Sequence, residues 1–403
     1  MSADVCSFKA EERLLLEAVA CGVRALGASP QSCASKHTAT AEAAAVDPAA
    51  LAQLAALHGV VGLAAEGASA GVPLPDGAAV RLRELRDKQV ARSVRLSGEL
   101  IRLLDLLAEA GLPTVPIKGP VFAHRVYGSI ARRSFWDLDL LLRREDVLAA
   151  KEVLLSQGYV PELAWSARRE RCELRRNCEY NFDHPESGIH VELHWRFMER
   201  SVGFDLPMAD VWDRLEPTTF LGRRIRVAAM EDECLALIVH NGAKHGWQRL
   251  RMIADVAVIG TIDSMATGRL VERAEAAGVR RVVATGVLLA STLLGAQMPE
   301  LSRWARADRS AVRLAHYYAG EVFRFSPDRT RDGLPSTRAY LAMRERMGDR
   351  LRYVPRLART VLTPTDREQA IMPLPPGLRG IHVIVRPFRL AWKYFSRLLG
   401  RLR

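Results

Sequence analysis

The sequence predicts an α+β fold in which a mixed sheet is flanked by an N-terminal and a C-terminal helical region. Three observations carry this. Residues 10 to 110 repeat Ala and Leu at helical spacing, as in Leu51, Leu54 and Leu57 and later Leu96, Leu100, Leu103, Leu104 and Leu107. From Thr114 short apolar runs alternate with turns, the texture of strands. Beyond Val227 helical spacing returns, starting at the acidic Glu231, Asp232 and Glu233 and running through Leu235, Ile238 and Val239. The 403 residues therefore divide into a helical leader (1–110), a core (111–228) and a helical C-terminal domain (229–403).

Gly, Ser and Pro between 67 and 76 break the leader into two groups, and Gly111, Leu112 and Pro113 end its last helix. Strands are expected at 115–117, 138–142, 159–163, 179–182 and 189–195. A short helix, 120–127, follows the first strand. Pro120 suits the opening helical position, where no amide donor is needed, and Gly128 stops the helix. A second helix, 146–157, has acidic residues in its first turn and Gly158 where a left-handed cap belongs. The 184–188 segment is a turn that joins the last two strands into a hairpin. Pro364, Pro373, Pro375 and Pro376 mark a loop before a final segment, 386–403.

Composition narrows the setting. Hydrophobic residues make up 49% and charged residues 26%, so the chain can bury an ordinary globular interior. No uncharged stretch is long enough to span a bilayer, and residues 1–13 lack a basic region followed by an apolar one. A cytoplasmic protein is expected. Cys6, Cys21, Cys33, Cys172, Cys178 and Cys234 are scattered with no Cys-x-x-Cys pair, which fits reduced thiols and not a zinc knuckle. The net charge of +12 and pI near 9.8 favour anionic partners: triphosphates, nucleic acid or acidic membrane. Because the arginines are spread along the chain, a solvated basic surface is the simpler account.

The chemistry-bearing residues lie in the middle third. Asp137 and Asp139 share one face of their strand while Leu138, Leu140 and Leu142 share the other, so the carboxylates can face a cleft above a buried apolar set. Carboxylates that close repel unless a cation neutralises them. The strand at 189–195 alternates likewise: Ile189, Val191, Leu193 and Trp195 face inward, whereas His190, Glu192 and His194 share the opposite face. Glu192 is the natural third carboxylate, and hard oxygen ligands suit magnesium. Lys118 and Gly119 form the turn into the short helix, where free amides would face a phosphate. Arg132 and Arg133 could neutralise a triphosphate. Solvated acids and surface arginines are the bland alternatives for these positions.

Taken in order, glycine turn, short helix, basic residues, Asp-x-Asp and late carboxylate resemble the DNA polymerase beta nucleotidyltransferase superfamily. The fuller set resembles its bacterial branch of largely uncharacterised nucleotidyltransferases: Ile117-Lys118-Gly119, Tyr127, Arg133, Asp137 to Leu141, Gly158-Tyr159, Val191 to Trp195, and His240 through Lys244-His245-Gly246-Trp247 to Asp255. One departure stands out. The superfamily's Gly-Ser or Gly-Gly pair is Lys118-Gly119 here, and Gly128-Ser129 lies nearer the aspartates than the usual spacing.

The resemblance implies a polymerase-beta-like core in which Asp137, Asp139 and Glu192 are catalytic and bind two Mg²⁺ ions. It implies an NTP as substrate, ATP among the candidates, and a hydroxyl acceptor in a small molecule, peptide or protein. RNA-end modification of the toxin type and a catalytically silent nucleotide-binding module are the alternatives. Glu192, or His194 beside it, takes the acceptor's proton. His240 and Lys244, four apart on a predicted helix, together with His245, are candidates to contact base or acceptor; the alternative is a buried Trp247 anchoring the helices with Asp255 paired to a cation. The segment 386–403, with Phe388, Trp392 and Phe395 among arginines, has the composition of an interfacial helix. Packing on its own domain is the preferred reading there, over contact with membrane or nucleic acid.

Overall fold

The computed structural model describes residues 8–27, 45–163, 165–199, 204, 206–262, 267–324 and 337–351. The proline loop, the segment 386–403, Cys6 and Cys33 lie outside the described residues. Among the described residues of the leader are four helices: α1 (Ala10–Gly27), α2 (Pro48–His58), α3 (Val61–Ser69) and α4 (Ala78–Glu109). Asp47 caps α2 by accepting from the amide of Ala49 at 2.9 Å, and Pro48 opens its first turn. The break between α3 and α4 falls in the expected Gly and Pro segment.

The core is a mixed five-stranded sheet, as the sequence predicted. Its strands are β1 (Thr114–Ile117), β2 (Asp137–Leu142), β3 (Val160–Pro161), β4 (Glu179–Asp183) and β5 (His190–His194), in the order β1-β2-β5-β4-β3. β2 and β5 run parallel and every other pair is antiparallel. Helix α5 (Gly119–Tyr127) follows β1, and α6 (Val147–Ser156) follows β2. One apolar cluster joins Leu96, Leu100, Leu103 and Leu107 of α4 to Leu138, Leu140 and Leu142 of β2 and to Val191 and Leu193 of β5. The leader thus covers one face of the sheet, and the polar residues of β2 and β5 are left on the other.

A charged helix, a short helix at Met208–Asp213 and a second hairpin were not anticipated. Helix α7 (Ala167–Arg176) has seven charged residues in ten, so Ala167, Cys172 and Leu174 are too few to betray its period. The third strand shortens to Val160–Pro161, since the chain turns away from β4 to enter α7. A separate hairpin, β6 (Glu216–Phe220) and β7 (Arg223–Val227), turns at Leu221 and Gly222, both left-handed. Helix α8 (Met208–Asp213) precedes β6, and after β7 come α9 (Met230–Val239), a π-helical turn (His240–Lys244) and α10 (Leu250–Ile259). The described helices that follow are α11 (Thr267–Ala276), α12 (Arg280–Leu294), α13 (Pro299–Arg306), α14 (Arg309–Glu321) and α15 (Thr337–Ala342). Residues 1–200 and 204–345 fall in one compact unit; 201–203 and 346–403 fall in a second, of which 346–351 are described. No helix among the described residues is long and apolar enough to cross a membrane.

Candidate active site

Parallel pairing of β2 with β5 sets Asp137 opposite His190, Asp139 opposite Glu192 and Leu141 opposite His194. Residues paired this way share a face on strands about 4.8 Å apart. Asp139 Oδ1 accepts from Lys118 Nζ at 2.8 Å and lies 2.9 Å from His194 Nε2, which is itself 3.0 Å from Glu192 Oε2. Asp139, Glu192 and His194 each offer a ligand atom within 4.8 Å of the others. Asp137 shares their face two residues earlier and stands outside that three-residue set. Burial, then the neighbouring Asp139, raises its carboxyl above the usual range. Burial also opposes the charge on Asp139, but Lys118 and His194 hold it below its ordinary value. This is the signature of clustered acids held by surrogate cations: an ammonium and an imidazolium occupy the polar space that a hard divalent ion suits.

Lys118 reaches the cluster through an unusual backbone. Its φ of 54° is left-handed, and its amide donates to Glu233 Oε1 at 3.0 Å. Glu233, on α9, is clamped in turn by Arg125 at 2.8 Å. Gly119, at φ 48°, opens α5, whose start has no side-chain cap. That leaves first-turn amides beside the acids.

The two expected phosphate arginines are placed otherwise. Arg133 is 3% exposed and forms a two-pronged pair with Asp255, at 2.7 and 3.2 Å. Tyr127 donates to the same carboxylate at 2.6 Å, and Asn241 at 3.1 Å. Arg133 is therefore committed to a buried network behind the site, because a guanidinium so enclosed needs a carboxylate. Arg132 turns to the leader, donating to Glu66 at 3.2 Å and to the carbonyl of Tyr127 at 3.0 Å.

Beyond the acids stands a wall from the helices after α9. His240 and His245 bring their Nε2 atoms to 3.3 Å, because the π turn places residues five apart on one face. Four-residue spacing was the expectation for His240 and Lys244, and the wider turn alters it. Lys244 instead reaches Glu179 on β4, at 3.4 Å. Burial, then Lys118, holds His240 well below its usual range; burial, then Lys244, holds His245 at about 3. Trp247 is fully buried in the helical packing.

Arg251 is the group sequence reasoning missed. Its Nη1 donates to the Ser134 carbonyl at 3.3 Å and its guanidinium lies 5.6 Å from the Trp136 ring. Its buried Nε has no hydrogen-bond partner, and among the described residues no carboxylate lies within ion-pair distance. Asp255, four residues on, is already taken by Arg133. Spacing of four on a helix, next to an acid already singled out, was the available signal. Glu179 could also have been found, since Glu179, Asn181 and Asp183 alternate as His190, Glu192 and His194 do.

Across the chain, a family described as Uncharacterised nucleotidyltransferase matches residues 44–295, well over half of the sequence and all of the site. No curated protein and no solved structure matches. The acid row, the lysine turn and that match agree, and the chain belongs to the family of uncharacterised nucleotidyltransferases.

Proposed function

We propose that this protein moves a nucleoside monophosphate from an NTP to an acceptor hydroxyl, with magnesium held by Asp139 and Glu192 and by Asp137 on the same face. The observation that carries the reading is the register pairing of Asp139 with Glu192 beside Lys118. The donor set fits the metal, since Asp137, Asp139 and Glu192 offer hard oxygens and His194 can give up its place between two of them. Two bound ions would supply charge stabilisation to the entering and leaving oxygens. The residues do the rest. Lys118 and Arg251 draw the triphosphate to the start of α5, Gly119 lets the backbone approach, and helices α9 and α10 form the far wall. The acceptor oxygen bonds to the α-phosphorus as the bond from that phosphorus to the bridging oxygen breaks. Pyrophosphate departs with the electron pair, and the hydroxyl proton passes to the Glu192 carboxylate.

The test uses the full chain, Mg²⁺ and each α-labelled NTP, with pyrophosphate release as readout. Asp137→Ala with Asp139→Ala should lower release at least about 100-fold, the scale of losing a charge-stabilising group. Release that survives the double substitution intact removes the proposal.

A further inference from the structure

Beside the acid row the sheet gathers a second set of ligands, of softer chemistry. Glu179 of β4 pairs in register with His194 of β5, and Cys178 stands at the bend that enters β4. Cys178 Sγ, a Glu179 carboxylate oxygen and a His194 ring nitrogen all lie within 4.8 Å of one another. Sγ donates to Glu179 Oε2 at 3.5 Å, and His194 Nδ1 stands 3.9 Å from the same oxygen. Ligands around a tetrahedral ion with bonds of about 2.0–2.3 Å sit about 3.5 Å apart, so small side-chain movements close the set.

His194 carries the inference. Its ring is 1% exposed, and its two nitrogens face different groups. Nε2 lies 2.9 Å from Asp139 and 3.0 Å from Glu192, whereas Nδ1, buried on the other edge, has no hydrogen-bond partner among the described residues. The single proton of the Cys178 thiol is directed to Glu179 and not to this nitrogen. A buried polar atom left so is costly, and an ion held jointly with Cys178 and Glu179 removes that cost. Carboxylates on the opposite ring nitrogen also suit a metal-bound histidine, because they fix the ring and raise its basicity. Cys178 is likewise 1% exposed, yet it and Glu179 both line a cavity of about 160 Å³ at the edge of β4. That cavity supplies an entry path and room for a water as fourth ligand.

We propose that Cys178 Sγ, Glu179 Oε2 and His194 Nδ1 form a zinc site, distinct from the oxygen-rich magnesium site and meeting it at the His194 ring. Sulfur, imidazole and carboxylate make a zinc donor set, and a thiolate disfavours magnesium. Zn²⁺ takes the place of the thiol proton and of any proton on Nδ1, which leave to solvent, and thiolate with carboxylate balance its charge. Lys244, 3.5 Å from Glu179 Oε1 and 3.4 Å from Oε2, keeps its contact through Oε1 as Oε2 turns to the ion. The ion thus ties the start of β4 to the end of β5. The inference is independent of the transfer reading and stands on these three ligands alone.

The full chain is stripped with a chelator, reduced with a phosphine, and titrated with Zn²⁺ or Co²⁺ in excess Mg²⁺, so that the hard oxygen site is filled. It should take up about one equivalent of zinc, and cobalt should give a near-ultraviolet thiolate-to-metal charge-transfer band, which oxygen ligands do not produce. X-ray absorption at the zinc edge should show a single sulfur at about 2.3 Å, nitrogen and oxygen neighbours at about 2.0–2.1 Å, and the outer scattering of an imidazole. Cys178→Ser should abolish the band, and it and Glu179→Gln should each weaken zinc at least about tenfold. Cys172→Ser, which alters a thiol of α7 outside the set, should change neither. No charge-transfer band in the parent, a band that survives Cys178→Ser, or bound zinc with no sulfur or more than one overturns the proposal. If Cys178→Ser does not fold, the absorption spectrum of the parent decides alone.

Discussion

Arg251 is a half-buried guanidinium beside the site whose buried Nε has no hydrogen-bond partner. Burial first, then Arg133, pushes the pKa of Arg251 down, which is the mark of an uncompensated cation. An incoming polyanion would relieve it. Arg251→Ala should therefore weaken NTP binding about tenfold in the presence of Mg²⁺, with Arg251→Lys intermediate because it keeps charge and loses the planar fork. Titration calorimetry decides, and an alanine variant that binds as tightly as the parent removes Arg251 from the phosphate site. His58 offers a second residue-level test, away from the acids. Its Nδ1 accepts from the amide of Leu250 at 3.1 Å, and burial, then Arg249, lowers its pKa to about 4. The unfolded chain takes up that proton near 6.5, so between about 6.5 and 4 the unfolded state binds more protons and stability falls as pH falls. His58→Gln keeps an acceptor and removes the titration. Urea midpoints measured across that window should drop less in the variant than in the parent; equal slopes would deny His58 the effect. Arg133 shows why such roles were only half legible. Its position beside the aspartates suggested a phosphate ligand, but which carboxylate claims a guanidinium depends on α10 packing beside the loop after α5, which brings together Arg133 and Asp255, 122 residues apart.

At the scale of elements, legibility follows period. In sequence Asp137, Leu138, Asp139 and Leu140 of β2 and His190 to His194 of β5 alternate polar with apolar, so the two faces could be read directly, and the acid row followed. Helix α7 and the β6–β7 hairpin escaped because few of their positions are apolar: Leu174 in the one and Phe220, Ile225 and Val227 in the other are what they offer to the core. The π turn escaped for another reason: nothing in the spacing of His240–Lys244 marks the wider winding, against which Trp247 packs. That indole fills a slot in which an added Cβ at Gly242 would lie 2.8 Å from the ring, and one at Gly286 of α12 would lie 2.6 Å from it. Gly286→Ala should thus force the ring to shift and destabilise the protein by about 1–3 kcal/mol, the cost of overpacking. The consequence reaches the site, since Trp247 abuts the turn that carries His240 and Lys244. A thermal midpoint unchanged in the alanine variant would show that the slot has slack.

For the whole molecule, the question is whether leader, sheet and later helices unfold together. Contacts that cross these regions are specific. Gln89 of α4 donates to the Ala131 carbonyl at 2.9 Å and accepts from Ser134 at 2.6 Å, bracing the loop that leads into the acids. His58 of α2 ties to the start of α10, and Phe323 after α14 packs on both Phe8 and His58 at 5.4 and 5.1 Å. The leader is thus a structural wall of the site, and its amides should open with those of α10. Hydrogen exchange on the full chain should give α4, β5 and α10 the same opening free energy under native conditions. Mg-NTP at a hundredfold excess over its dissociation constant should raise all three by about 2.7 kcal/mol, because a ligand that binds only the folded state stabilises every element of one cooperative unit. Protection that rises in β5 and α10 while α4 stays unchanged would mean that the leader opens independently of the site it borders.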